Sequence, residues 1–140
     1  MDTSSAHASF AIGRGQQILA AMKTDVPVPH SKTFFDHVSA LLQKADLSIS
    51  QVDAFAAATG PGSFTGIRIG LATAEGILIS TNIQGLAISN FEMSYYRLQR
   101  QIKYFDKAVI LLNAYRNQLY YQEFDLAGNK GNYGLIDINK

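Results

Sequence analysis

The residues best placed to do chemistry lie in "TGPGSFTGIRIG", Thr59 to Gly70. Gly60 and Gly62 tolerate positive φ and Pro61 fixes the residue between them, so the stretch suits a sharp strand-to-helix turn with Ser63 as N-cap. Free N–H groups at such a helix start favour an anion. The hydroxyls of Ser63 and Thr65 add donors, and Arg68 follows one turn later as a charged contact for a phosphate or as a partner for Glu75 or Asp53. Familiar nucleotide loops do not fit, however. Ile67 follows Gly66 where a Walker A loop needs lysine, and glycines at 60, 62 and 66 miss the G-x-G-x-x-G spacing by one residue. Judged on these residues alone, the plainer reading is a structural turn.

The helix that follows adds a second pattern. Gly66, Gly70 and Ala74 are spaced by four and line one stripe, flanked by Ile67, Leu71 and Leu78. Each glycine weakens a helix by about 1 kcal/mol relative to alanine, so two in one stripe call for a close packing neighbour. Spacing leaves open whether that neighbour belongs to this chain or to another. Catalytic groupings are missing: there is no Ser/His/Asp set, and Asp2 is the one well-placed carboxylate, with no second acid to share a metal.

These residues need elements to hold them. Ala8–Gly13 and Gln17–Met22 read as a hairpin about a glycine turn, and "TDVPVPHS" as a loop. A helix is expected from Ser31 to Lys44, with Phe34, Val38, Leu41 and Ala45 on its apolar face, Phe35 and Leu42 widening it, and Lys32, Asp36 and Gln43 in water. Asp53–Ala58 is a buried strand, Phe64 to about Ser80 a second helix, Ile83–Ser89 a strand, and Phe91–Ile102 a third helix. "KAVILLNAY", "NQLYYQEFD" and "YGLIDIN" are three further strands, the second and third joined by "AGNKGN". Two three-strand openings in one chain suggest a structural repeat whose second copy stops early. Apolar residues on both faces of "KAVILLNAY" predict cover on both sides, of which the third helix can supply one. At the front, the first strand would begin at Met1, with almost no apolar residues before Asp2 to anchor it.

Composition narrows the classes further. Over 140 residues the hydrophobic share is 47% and the charged share 16%, which describes a folded chain. Twelve Lys+Arg against 11 Asp+Glu give a net charge of +1, too little to attract nucleic acid or an anionic membrane globally. No cysteine is present, so disulfides and thiolate sites are excluded. The first residues lack a signal-peptide core and no apolar run spans a bilayer, so a cytoplasmic location and no membrane partner are expected. Tyr95, Tyr96, Tyr115, Tyr120 and Tyr121 beside Arg97, Arg100 and Arg116 suggest base stacking at first sight, but packing accounts for them more simply.

"TGPGSFTGIRIG", with Asp2, Thr3 and Ser4 ahead of it and His30–Ser31 opening the first helix, resembles the TsaB (YeaZ) family over nearly the whole chain. The resemblance implies an α/β fold of actin-like, ribonuclease-H-like type, a mixed sheet with helices, in which 1–103 form a complete N-lobe and 104–140 the opening strands of a second. It implies a non-catalytic subunit that binds the metal-dependent enzyme TsaD as a heterodimer, works with TsaE, and supports formation of threonylcarbamoyladenosine beside the anticodon of tRNA. Contact with tRNA would be indirect, and the chain alone is an option for a homodimer. No intrinsic cofactor, metal or catalytic residue is expected, with ATP entering through the complex. Phe34, Val38, Leu41, Gly66, Gly70, Ala74 and Ile77 are the expected partner interface. Gly60, Gly62, Ser63, Thr65, Arg68, Asp2, Thr3 and Ser4 are the expected phosphate-binding loop.

Two features bear on that implication. TsaD-like metal binding takes two histidines one helical turn apart, whereas four residues after His30 stands Phe34, His37 is seven away, and His7 is isolated. Family members carry Asp-Ala-Arg, a basic residue and Gly-Glu in the second lobe. This chain has Asn113, Ala114, Tyr115, Arg116, Asn117 and Gln118 instead. The alternatives are a nucleotide- or phosphate-binding actin-like protein and a degenerate remnant of the family.

Overall fold

The structure, a computed structural model, describes residues 1–24 and 34–139. His30, Ser31 and Lys32, with the first turn expected of the helix, lie outside the described residues. The chain divides into two packed units, Met1–Thr59 with Ser63–Ala87, and Gly60–Gly62 with Ile88–Lys140.

In the first unit, β1 (Ser9–Arg14) and β2 (Gln17–Lys23) form the expected antiparallel hairpin, turning at Gly15 with φ 59°. Described helix α1 (Phe34–Lys44) places Phe34 and Leu41 on the hairpin, and with Ala8 and Phe10 they make the core. Phe34 is fully buried, its ring edge-on to Phe10 at 5.0 Å between centroids. Asp36 and Gln43 face water as predicted, but so does Phe35, 54% exposed, because the buried arc of α1 is narrower than the sequence stripe.

β3 (Ala54–Ala58) pairs with β4 (Gln84–Ile88), and α2 (Phe64–Thr81) connects them and packs on β3. Asn82 ends α2 in the left-handed conformation, which asparagine tolerates. At the chain's start, Asp2 and Ser9 exchange two backbone bonds of 2.9 and 2.8 Å. On its other side, the Met1 amine donates to Ala56 O at 2.7 Å, and Ala58 N–H donates to Met1 O at 3.0 Å.

In the second unit, α3 (Asn90–Gln101) starts at a capping box. Ser89 Oγ accepts from Phe91 N–H at 3.1 Å, and Glu92 Oε2 accepts from Ser89 N–H at 3.0 Å. The helix lies on an antiparallel sheet of β5 (Lys107–Tyr115), β6 (Gln118–Asp125) and β7 (Lys130–Asp137). Phe91, Tyr95, Ile110 and Phe124 form its core, with Tyr95 stacked on Phe124 at 4.5 Å. The Tyr95 hydroxyl lies 2.8 Å from Asp125 O and 2.9 Å from Leu126 O, and Gln99 Nε2 donates to it at 2.6 Å. By packing, then, α3 belongs with β5–β7 in the second unit. The two-sided cover expected for β5 is one-sided among the described residues: Ala108 and Ile110 are buried, while Val109 and Leu111 are 54% and 51% exposed.

The β5–β6 turn places Tyr115, Arg116 and Asn117 at φ 64°, 52° and 59°. Left-handed backbone costs a residue with a Cβ about 1 kcal/mol, and only asparagine is well suited to it. Replacing the tip by Asn-Gly, as Arg116→Asn with Asn117→Gly, is therefore expected to stabilise the chain by about 1 kcal/mol and raise its thermal midpoint in a calorimeter. An unchanged midpoint would deny that the turn is strained. The Met1 amine gives a second expectation. Burial holds it below its ordinary pKa of 8.0, opposed by the Asp2 charge, so the folded chain binds its proton less readily than the unfolded one. Its cost to the fold is full below the lowered pKa and vanishes as pH rises through 8.0. Denaturant titrations from neutral to mildly alkaline pH should show this gain in stability, and N-terminal acetylation should abolish it.

Candidate functional site

The site is built where the first residues of the chain meet the start of α2. Asp2 Oδ1 accepts from Ser4 N–H at 2.8 Å and from Ser4 Oγ at 2.6 Å, closing a small turn on the carboxylate. Ser4 O then accepts from Ser63 N–H at 2.7 Å, and Thr3 Oγ1 donates to Gly66 O at 2.7 Å. Thr3 and Ser4 are both buried. Three successive residues thus clamp the helix start.

Ser63 caps α2 as the sequence predicts. Its Oγ accepts from Gly66 N–H at 3.2 Å and its carbonyl from Ile67 N–H at 2.9 Å. By helix geometry the N–H groups of Phe64 and Thr65 have no partner inside the helix. Arg68 makes no ion pair with Glu75 or Asp53 among the described residues. Its guanidinium sits 5.3 Å from the centre of the Phe64 ring, an exposed cation–π contact. Gly60, at φ 96°, and Pro61 belong to the second unit: Gly60 O accepts from Asn90 N–H and Pro61 O from Asn90 Nδ2, both at 2.8 Å. Sequence reasoning passed over Asn90, although the Ser89-x-x-Glu92 spacing marks the helix start it belongs to.

The small-residue stripe faces inward. A Cβ at Gly66 would fall on the Thr3 carbonyl oxygen, and one at Gly70 on Thr3 Oγ1. Gly70 is buried, as are Ala74 at 6% and Ile77 at 5% exposure. Phe34 and Leu41 are interior too, and Val38 is half-buried. Among the residues expected to meet a partner, the close neighbour of the glycines is therefore this chain's own Thr3. The apolar residues that reach the surface are Phe64, Leu71 and Ile79 on α2, exposed by 73%, 38% and 80%, and Phe35 on α1. Phe35 lines a shallow groove with Val38, Leu42 and Ile77 between the two helices.

No group of three or more His, Asp or Glu side chains able to hold a metal occurs among the described residues. His37 packs against Phe10 at 5.4 Å, and His7 Nδ1 lies 2.9 Å from Thr24 O, so both are structural. No described helix is long and apolar enough to cross a membrane. Tyr95 is core, and Tyr96 and Tyr115 stand exposed at 63% and 61%.

The family described as TsaD, tRNA N6-adenosine threonylcarbamoyltransferase, matches residues 25–133. The chain belongs to this family. The chain is similar to several TsaB proteins. The Haemophilus influenzae tRNA threonylcarbamoyladenosine biosynthesis protein TsaB is 29% identical over 94 residues, 67% of this chain and 39% of its own length. Its counterparts in Buchnera aphidicola and Bacillus subtilis are 26% and 30% identical, over 100% and 86% of this chain and 68% and 51% of their own. Among solved structures, YeaZ from Pseudomonas aeruginosa superposes with a TM-score of 0.80 at 25% identity over 96% of this chain. A Pseudomonas aeruginosa protein described as similar to peptidase YeaZ gives 0.82 at 25% over 97%. The chain spans 64% of each solved structure. The mixed α/β fold of the TsaB/YeaZ proteins is therefore the fold of this chain.

Thr3 and Gly70 can be tested against each other. Gly70→Ala should destabilise the chain by about 1–3 kcal/mol, since the new methyl overlaps Thr3 Oγ1 and displaces it from its bond to Gly66 O. In a double-mutant cycle, adding Thr3→Ala should recover much of that loss. Simple additivity in denaturant titrations would show that the two do not touch.

Proposed function

We propose that this chain is a non-catalytic TsaB-type subunit that binds a TsaD-type enzyme and so supports formation of N6-threonylcarbamoyladenosine next to the anticodon of tRNA. The observation that carries the reading is the contrast between the two sides of α2. Its inner side is locked on Thr3 and packed on β3. Its outer side presents Phe64, Leu71 and Ile79 to solvent on a rigid helix. Exposed apolar side chains aligned on one face suit a helix-to-helix docking surface. TsaE and tRNA join through the complex, in the cytoplasm.

The interface on this reading keeps the helices expected from the sequence but uses other residues: Phe35, Phe64, Leu71 and Ile79 in place of the buried Phe34, Leu41, Gly70, Ala74 and Ile77. The competing reading is that α2's start, with the Phe64 and Thr65 N–H groups and the Ser63 and Thr65 hydroxyls, holds ATP or another phosphate. Arg68 would then be its charged contact. Titration of ATP against the wild type and Arg68→Ala separates the two, because phosphate binding requires a measurable affinity that falls in the variant.

The partner reading predicts that the chain co-purifies with the TsaD-type protein of its own organism as a complex of defined mass. Leu71→Glu with Ile79→Glu should weaken that complex at least about tenfold, equivalent to about 1.4 kcal/mol, without lowering the thermal midpoint of the free chain. Full affinity in the double variant would refute the surface.

A further inference from the structure

The fold sorts the tyrosines and arginines of the second unit into separate places. Tyr95 and Tyr120 pack in the core, and Tyr115 and Arg116 sit at the tip of β5, about 26 Å along the strand from Lys107 at 3.3 Å per residue. Tyr96 and Arg100 lie one turn apart on the outer face of α3 with Arg97 beside them, opposite the buried Phe91 and Tyr95. Packing does not account for Tyr96, which meets Tyr95 edge-on at 5.9 Å and is 63% exposed. Lys103 and Tyr104 follow in the loop that leaves the helix. There Phe105 turns inward to Tyr95, and Tyr104 is left 87% exposed on an anchored backbone.

Charge is uneven in this part of the chain. From Met93 to Gln122 there are five basic residues and one acid, Asp106. Arg97, Arg100 and Lys103 are exposed, and none has an ion-pair partner among the described residues, because Glu92 of the same helix pairs with Lys130. A chain of nearly zero net charge thus carries a local cationic strip. Beside it is an open hollow of about 480 Å³, bordered by Gln99, Ile102, Lys103, Tyr104 and Leu126. Gln99 Nε2 donates to the Tyr95 hydroxyl at 2.6 Å and to Leu126 O at 3.1 Å, which leaves Gln99 Oε1 without a hydrogen bond among the described residues. An aromatic ring, two aliphatic side chains, an amide acceptor and a cation suit a planar heterocycle that bears an amine and has a phosphate next to it.

We propose that the C-terminal half of α3 and the loop after it bind single-stranded RNA directly, with one unpaired base in the hollow against Tyr104, a neighbouring base on Tyr96, and the backbone phosphates on Arg97, Arg100 and Lys103. The inference rests on the tRNA role proposed above and adds to it a contact made by this chain itself. A polymer fits better than a free nucleotide, because the helix alone advances about 7.5 Å from Arg97 to Ile102 at 1.5 Å per residue, more than one phosphate group can cover. An unpaired strand fits better than a duplex, whose bases are stacked on one another and cannot enter a hollow. A membrane surface would use the charges and leave the hollow empty.

Fluorescence anisotropy of the full chain, free of partners, with a labelled single-stranded RNA of about eight nucleotides tests this. Arg97→Glu with Arg100→Glu should weaken binding about tenfold or more and reduce the slope of log affinity against log salt by about one. Tyr104→Ala should weaken it about fivefold or more with the slope unchanged, and both variants should keep the wild-type thermal midpoint. The same RNA annealed to its complement, and AMP, should each bind the wild type at least about tenfold more weakly. No binding of the single strand, equal affinity in the variants, or equal affinity for the duplex would overturn the proposal. So would binding of AMP as tight as that of the RNA, or binding to phosphatidylserine vesicles in place of RNA. Co-purification with the TsaD-type protein is scored separately: an intact complex without RNA binding refutes this contact alone, whereas a wild type that forms no complex refutes the subunit reading, whatever the RNA does.

Discussion

The close approach of Thr3 to the glycine face of α2 is the contact on which the first unit depends. Helix and backbone meet there at a distance that no Cβ permits, so the hydrogen bond from Thr3 to the Gly66 carbonyl is available only to a helix with glycine at both 66 and 70. Once that bond is made, Ser4 receives the Ser63 N–H and fixes where the helix begins, and the turn is closed by Asp2. The residue before that turn reaches β3 and the residue after Ala6 begins the approach to β1. Four residues therefore hold a helix and two strands, and the two helical glycines, unfavourable for an isolated helix, are explained by what they admit.

The second unit is organised by an aromatic side chain instead. Tyr95 stacks on Phe124 and meets Phe105 edge-on at 6.3 Å, while its hydroxyl satisfies the carbonyls at the end of β6. One residue thus ties helix, sheet and hairpin. Nearby, Lys130 Nζ meets Glu92 Oε1 at 2.8 Å, which with the Ser89 N–H holds the Glu92 carboxyl below its usual range. Both partners are partly exposed, so the pair adds alignment more than stability.

Element order was legible in the sequence because hydrophobic period and glycine or proline punctuation are local signals; the described helices and strands fall within a residue or two of expectation, except β7, which starts at Lys130 inside the expected glycine-rich turn, three residues before Tyr133. Direction was less legible. The spacing of Gly66, Gly70 and Ala74 defines a stripe, but a stripe does not say what lies against it, and the three-residue segment that does lies sixty positions away. The same limit applies to α1, where Phe34 and Phe35 are adjacent and equally apolar, yet the hairpin covers one of them. Residues 115–117 escaped because no glycine announces their left-handed backbone, and Val109 and Leu111 because apolar alternation reports what a strand tolerates, not what covers it.

On the function proposed above, the inward glycine face and the outward apolar face of α2 support each other. A helix offered to a partner binds best when little is left to order on contact, because each side chain or segment immobilised at the interface subtracts from affinity. Thr3, the Ser63 cap and the β3 packing hold α2 from within, so Phe64, Leu71 and Ile79 are carried on a fixed axis. Arg68 lying on the Phe64 ring keeps one charge beside that stripe, close enough to give orientation to an otherwise greasy surface. The stretch that looks most like a phosphate cradle thereby contributes rigidity first: its hydroxyl caps the helix, and its glycines seat the helix on the start of the chain.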